Sequence, residues 1–354
     1  MPRTRDEAVR MLSMLCQLTV GPGYLAQVAG QVQQEGLTED LATGQSDRLY
    51  AALMGAFSMQ GISDAIALGY IARHGNATRA RLAADLGRSR CACPKLAGFD
   101  AYQACRYRKT GPDCARPQHL RLCPVRKLPL RKGLLNVQAY ALHFFLRDVC
   151  GDDVSGFIDR IIAAARNDTA EPGANAEPSP RSQGPPAWVP RARLALVAEL
   201  SRVDGVSSKL ANMVLADILL GGRPDDHAWR QLGAAMRAVD VLVHKFLERS
   251  GTLALYGRPH SYGPRCYGAA GGDGVLHEVA LAMTAEAIDP GYPAYFPRLI
   301  ELAIWRFCAE PGHGLCRSQA VGKGPTCRQR RSCPVAHFCA FARPPGTRRP
   351  PRPG

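Results

Sequence analysis

No stretch of this chain sustains the roughly 18 consecutive apolar residues that a bilayer-spanning helix needs, and no apolar run stands behind Met1-Pro2-Arg3-Thr4-Arg5-Asp6-Glu7 to form an export signal. The expectation is a cytoplasmic, nucleoid-associated protein without membrane contact. Acidic side chains are outnumbered 30 to 45 by basic ones, giving a formal charge of +15. That balance argues against a polycationic partner and for a polyanionic one, with nucleic acid preferred to a membrane surface. Lysine is scarce, at seven residues. Most of the positive charge is therefore arginine, which suits bidentate phosphate contacts. Apolar residues, at 46%, suffice for one large or two smaller cores. The 13 cysteines are odd in number and clustered, and without an export signal they read as metal ligands rather than disulfides.

The recurring apolar period is helical, which predicts an all-α protein. Residues 6–57 form helices separated by Gly21-Pro22-Gly23 and by the polar stretch 36–45. Ser63 is expected to cap a further helix that buries Ile66, Tyr70 and Ile71. From Arg88 to Lys132 the periodicity fades among arginines, prolines and Cys91, Cys93, Cys105, Cys114 and Cys123, as in an insertion without a core of its own. A metal at Cys93, Cys105, Cys114 and Cys123 would supply the missing stability. The alternative is a set of reduced thiols in a basic loop. Helical pattern resumes over 134–165, and residues 168–188 have the composition of a disordered linker. A short helix is expected around Trp229, a loop over 251–273, helices near 276–287 and 294–308, and a solvated basic tail over 343–354.

The most informative stretch runs from Val203 to Asn212. Leu194, Val197 and Leu200 before it, and Leu210, Met213, Val214 and Ile218 after it, recur at helical spacing. Two helices meet there in a short hairpin. Gly205 permits a positive φ, and the first amides of the second helix then face outward at the positive end of its dipole, a natural seat for phosphate.

The pattern Gly205-Val206-x-x-Lys209-x-Ala211-Asn212 resembles the hairpin of endonuclease III-like DNA glycosylases, in the HhH-GPD superfamily. Asp204 stands where that family has proline, and Ser207 where it has a second glycine. The resemblance implies that Lys209 is the catalytic lysine. Val239-Asp240, heading the amphipathic series Val243, Phe246 and Leu247, resembles the second signature and implies that Asp240 is the catalytic aspartate. Ser58-x-Gln60 resembles the turn whose glutamine enters the duplex beside the extruded base. Contacts to DNA are implied for Gln60, Gly205, Val206, Ser207, Ser208, Lys245, Arg317 and Lys323.

In that family a cysteine loop C-terminal to the aspartate holds a four-iron four-sulfur cluster. The implied ligands here are Cys316, Cys327, Cys333 and Cys339, with Cys308 as the alternative first ligand. A second centre, iron–sulfur or zinc, is expected within 91–123. The implied architecture is a two-lobed helical glycosylase fold. Residues 1–44 would pack with the cluster lobe of 223–342, and residues 45–222 would form a helical barrel ending in the hairpin. The implied function is a monomeric base-excision DNA N-glycosylase with abasic-site lyase activity on double-stranded DNA carrying a damaged base or abasic site. The alternatives are a monofunctional glycosylase and a noncatalytic damage-sensing DNA binder.

Overall fold

The computed structural model describes residues 4–58, 64–75, 77–107, 117–128, 130, 133–169, 184–310, 312–317 and 327–339. Among them every regular element is helical, as the periodicity predicts. Helices α1 (Arg5–Thr19), α2 (Tyr24–Gln34), α3 (Leu37–Thr43), α4 (Asp47–Ser58), α5 (Asp64–His74) and α6 (Arg79–Gly87) precede the cysteine-rich segment. After it come α7 (Gly133–Phe144), α8 (Val154–Asn167), α9 (Trp188–Leu200), α10 (Ser208–Gly221), α11 (His227–Ala235), α12 (Val241–Ser250), α13 (Gly272–Ala282) and α14 (Pro297–Cys308). Two compact units result: Met1–Gln27, Asn175–Pro186 and Trp229–Gly354 form the first, and Val28–Ala174 with Ala187–Ala228 the second. The N-terminal share of the first unit thus ends at Gln27, short of the expected residue 44.

In the first unit α1 and α14 lie along one another. Each buries a continuous apolar face, Met11, Leu12 and Leu15 on α1 and Leu299, Ile300, Ile304 and Phe307 on α14. Thr4 starts α1 by accepting the Glu7 amide at 3.2 Å.

The second unit is built around α7, whose Ala139, Tyr140, Ala141, Leu142 and Phe144 are all buried. The helical run expected over 134–165 divides, because a wider turn at Phe145–Val149 leads into Gly151 and Asp152, both at positive φ. The polar stretch 36–45 contains α3. Its Asp40 is buried and accepts the amides of Arg48 at 2.8 Å and Leu49 at 3.2 Å, so a residue that reads as loop braces the start of α4. The expected face of α5 is displaced. Ile66 is 60% exposed and Leu68 53%, while Ala67 is buried.

The cysteine-rich insertion uses α7 as its core. Phe99, Tyr102, Val125 and Leu128 are buried, and the Tyr102 ring meets Phe144 with centroids 5.2 Å apart. The Asn136 side chain donates to the Val125 and Leu128 carbonyls at 2.8 and 3.0 Å. Burying Phe99 and Tyr102 contributes about 2 kcal/mol each.

Candidate functional site

The predicted hairpin is formed by α9 and α10. Gly205 sits at φ 76°, which favours glycine, and a Cβ there would lie 3.1 Å from the buried Gln138 amide nitrogen, so that side chain would also have to give by a few tenths of an ångström. Ser207, at φ −82° and ψ 159°, needs no such freedom and caps α10 by accepting the Leu210 amide at 3.3 Å. Val203 and Val206 are buried beneath the turn, while Gly205, Ser207 and Ser208 face solvent. Lys209, half-buried, stands in the first turn of α10. Asn212 locks the hairpin, accepting from Arg193 Nε of α9 at 3.0 Å and donating to the Ser208 carbonyl at 2.8 Å.

In the first unit Asp240 is the buried N-cap of α12 and accepts the Val243 amide at 2.8 Å. The approach to it is anchored by Arg237, which donates to both oxygens of Asp273 at 2.7 and 2.8 Å and to the Tyr295 hydroxyl at 2.7 Å. All of this is buried, and the Asp273 carboxylate helps raise the Arg237 pKa against the cost of burial. Lys245 pairs with Glu248 at 2.6 Å and Arg317 with Glu310 at 2.5 Å. Such exposed pairs are worth about 0–1 kcal/mol, so phosphate competes for either cation at little cost.

Cys316, Cys327, Cys333 and Cys339 line one small cavity, walled by Met11, Phe246, Phe307 and Leu315 with Arg330 beside them. Arg249, in the last turn of α12, donates to the Cys316 carbonyl at 2.6 Å and approaches its Sγ at 3.9 Å, and the Cys339 thiol donates to the Arg249 carbonyl at 3.6 Å. Cys308 donates to Cys316, which raises the Cys308 pKa and lowers that of Cys316. Among the described residues, only one group brings three donor atoms within 4.8 Å of one another, and it includes none of these cysteines. The four thiols and the Arg249 and Arg330 guanidinium groups thus lie about one void.

In the insertion, Cys93, Cys105 and Cys123 line a second cavity with His119 and Tyr107, and the Cys91 thiol donates to the His119 carbonyl at 3.6 Å. Burial is the main cause that pushes the Cys123 pKa up to about 11. The structure brings together three of the four expected ligands. Cys114, Gln60, Lys323, the tail 343–354 and most of the linker 168–188 lie outside the described residues.

No protein-family profile, characterised protein or solved structure matches this chain.

A group that the sequence pattern did not single out lies one turn beyond Asp240. His244, fully buried on α12, His260 and Cys266 bring their donor atoms within 4.8 Å of one another. Burial, and then the charge of His260, push the His244 imidazolium below its usual pKa. The available signal was a histidine one helical turn after the candidate aspartate, but its partners come from a stretch that reads as a Gly- and Tyr-rich loop. The Arg237–Asp273 pair was hidden by its 36-residue separation. A cavity of about 590 Å³ in the second unit is lined largely by apolar residues of α2, α4 and α10, including Val32, Leu53 and Ile218. Its wall on α10 begins at Val214, about 8 Å along the helix from Lys209.

Proposed function

We propose that the chain is a helix-hairpin-helix DNA glycosylase that excises a damaged base and cleaves the resulting abasic site by β-elimination. The observation that carries this reading is the hairpin turn, in which Gly205 in the left-handed region and Ser207 as cap present the start of α10 with Lys209 in its first turn. Helix-start amides attract phosphate, and the charge of +15 favours the same polyanion. On this reading the Lys209 amine attacks C1′ of an extruded nucleotide and the base departs with the glycosidic electron pair. The C1′–O4′ bond then breaks, O4′ takes a proton, and the nitrogen lone pair forms a C1′=N iminium on Lys209. Removal of a C2′ proton then expels the 3′ phosphate. Asp240 would supply the carboxylate that offsets the positive charge building on the sugar.

Cys316, Cys327, Cys333 and Cys339 would hold a four-iron four-sulfur cluster, whose contribution when bound is structural. Arg249 ties that loop to the last turn of the helix headed by Asp240. Cys93, Cys105 and Cys123, with Cys114, are the corresponding candidates for a second centre.

The test is borohydride trapping on duplexes carrying abasic sites and a panel of damaged bases. Wild type should give a covalent adduct, Lys209→Ala none, and the Lys209→Ala/Asp240→Asn pair should lose no more excision than the worse single variant, as groups acting in one step do. No adduct from wild type on any of these duplexes sinks the lyase assignment, and an adduct that survives in Lys209→Ala sinks Lys209 as its nucleophile. A second reading is favoured by the Asp240 cap bond itself, which gives that carboxylate a structural duty without chemistry. On that reading the protein binds abasic DNA and leaves every lesion intact.

A further inference from the structure

The loop between α12 and α13 folds back onto the buried face of α12. Three side chains meet there: His244 from the second turn of α12, His260 from the segment after Gly257, and Cys266 from the single 3-10 turn Pro264–Tyr267. His244 and Cys266 are fully buried. His244 Nδ1 lies 3.4 Å from Cys266 Sγ and His260 Nε2 lies 3.3 Å from it. Both nitrogens therefore aim at the same sulfur. One thiol proton can serve only one of them.

We propose that His244, His260 and Cys266 form a zinc site that pins the 257–267 loop to the helix headed by Asp240. For a tetrahedral ion with usual Zn–S and Zn–N bonds, adjacent sulfur and nitrogen ligands stand about 3.6 Å apart. The observed separations fall within about 0.3 Å of that. The orientation of His260 is also that of a ligand, because its Nδ1 bonds the Arg258 carbonyl at 2.8 Å. A carbonyl only accepts, so Nδ1 carries the proton and Nε2 presents its lone pair toward the sulfur. His244 Nε2 is buried without a partner, so Nδ1, facing the sulfur, is the nitrogen with something to bind. One thiolate with two imidazoles is a borderline-soft set that suits zinc. Metal binding releases the Cys266 thiol proton to solvent, and water completes the fourth position. Tyr262 meets His244 at a tilt of 59°, with ring centroids 5.6 Å apart, and its hydroxyl bonds that of Tyr267 at 3.1 Å. The ion therefore sets where these two phenols stand, one turn beyond Asp240.

This site is separate from both cysteine cavities and does not depend on the glycosylase reading. Full-length protein is purified without added chelator, and zinc and iron are measured by mass spectrometry in wild type, Cys266→Ser, His260→Gln and Cys333→Ser. Wild type should carry about one zinc per chain assignable to this site. Cys266→Ser and His260→Gln should each lose that equivalent and keep the iron of wild type, while Cys333→Ser keeps it. Circular dichroism confirms that each variant is folded. As a second readout, dialysis against a chelator should raise proteolytic cleavage within 257–267 in wild type and leave it unchanged in folded Cys266→Ser. Wild type without stoichiometric zinc, a zinc content in Cys266→Ser equal to that of wild type, or copper or iron lost in its place would each overturn the assignment.

Discussion

At position 240 one carboxylate holds the Val243 amide and, on the proposed reading, also faces a sugar. The two duties separate by substitution, because asparagine caps a helix about as well as aspartate but carries no charge. Asp240→Asn should shift stability by less than about 0.5 kcal/mol while excision falls about 100-fold or more. Asp240→Ala should lose about 1 kcal/mol as well. Melting and excision measured on the same preparations check this, and an Asn variant with full activity leaves Asp240 a cap only. His143 gives a pH prediction. Burial, reinforced by Arg79 and Arg147, lowers its pKa to about 4, below the ordinary 6.5. Between those values the unfolded chain binds a proton that the folded protein refuses, so stability is complete above pH 6.5 and declines as pH falls toward 4. The loss is on the order of 2 kcal/mol. Denaturant melts across that window should flatten in His143→Phe; an unchanged slope would assign the pH dependence elsewhere.

Among the elements, α12 links the separate features of the first unit. Asp240 heads it, His244 faces the 257–267 loop, and Arg249 near its end holds Cys316 and Cys339. Its approach is fixed by the buried Arg237–Asp273 pair. Removing one partner strands a buried charge, so Asp273→Ala should cost about 3–5 kcal/mol, whereas Arg237→Met with Asp273→Leu should cost less than that single change. Urea unfolding of the single and double variants tests this, and equal losses would show that shape rather than charge governs the site. In the second unit, α7 supports both the insertion and, through Gln138, the hairpin glycine. Tyr102→Ala should lose about 3 kcal/mol and release the insertion, which limited proteolysis within 88–132 would report.

For the whole molecule the arginine-rich charge of +15 makes salt the discriminating variable. If about six phosphates are contacted, affinity for duplex DNA should fall about a thousandfold between 50 and 200 mM salt. Binding measured by fluorescence anisotropy that stays flat with salt would remove DNA as the partner.

What was legible without coordinates were features carried by neighbours in the chain. Helical periodicity, the turn at Gly205 and the helix starts after Ser207 and Asp240 depend on residues within four positions, and these the structure reproduces. That Cys316, Cys327, Cys333 and Cys339 line one cavity matches the set that the family resemblance implied, not one that local pattern gave. The buried face of α5 was not, because a helical stripe says which residues could be covered but not that a neighbour covers them. Asp40 bracing α4, the Arg237–Asp273 pair and the His244–His260–Cys266 group were equally hidden. Each joins side chains whose meeting depends on how loops return to helices, and that path is decided by packing across the whole unit rather than by any local preference of the chain.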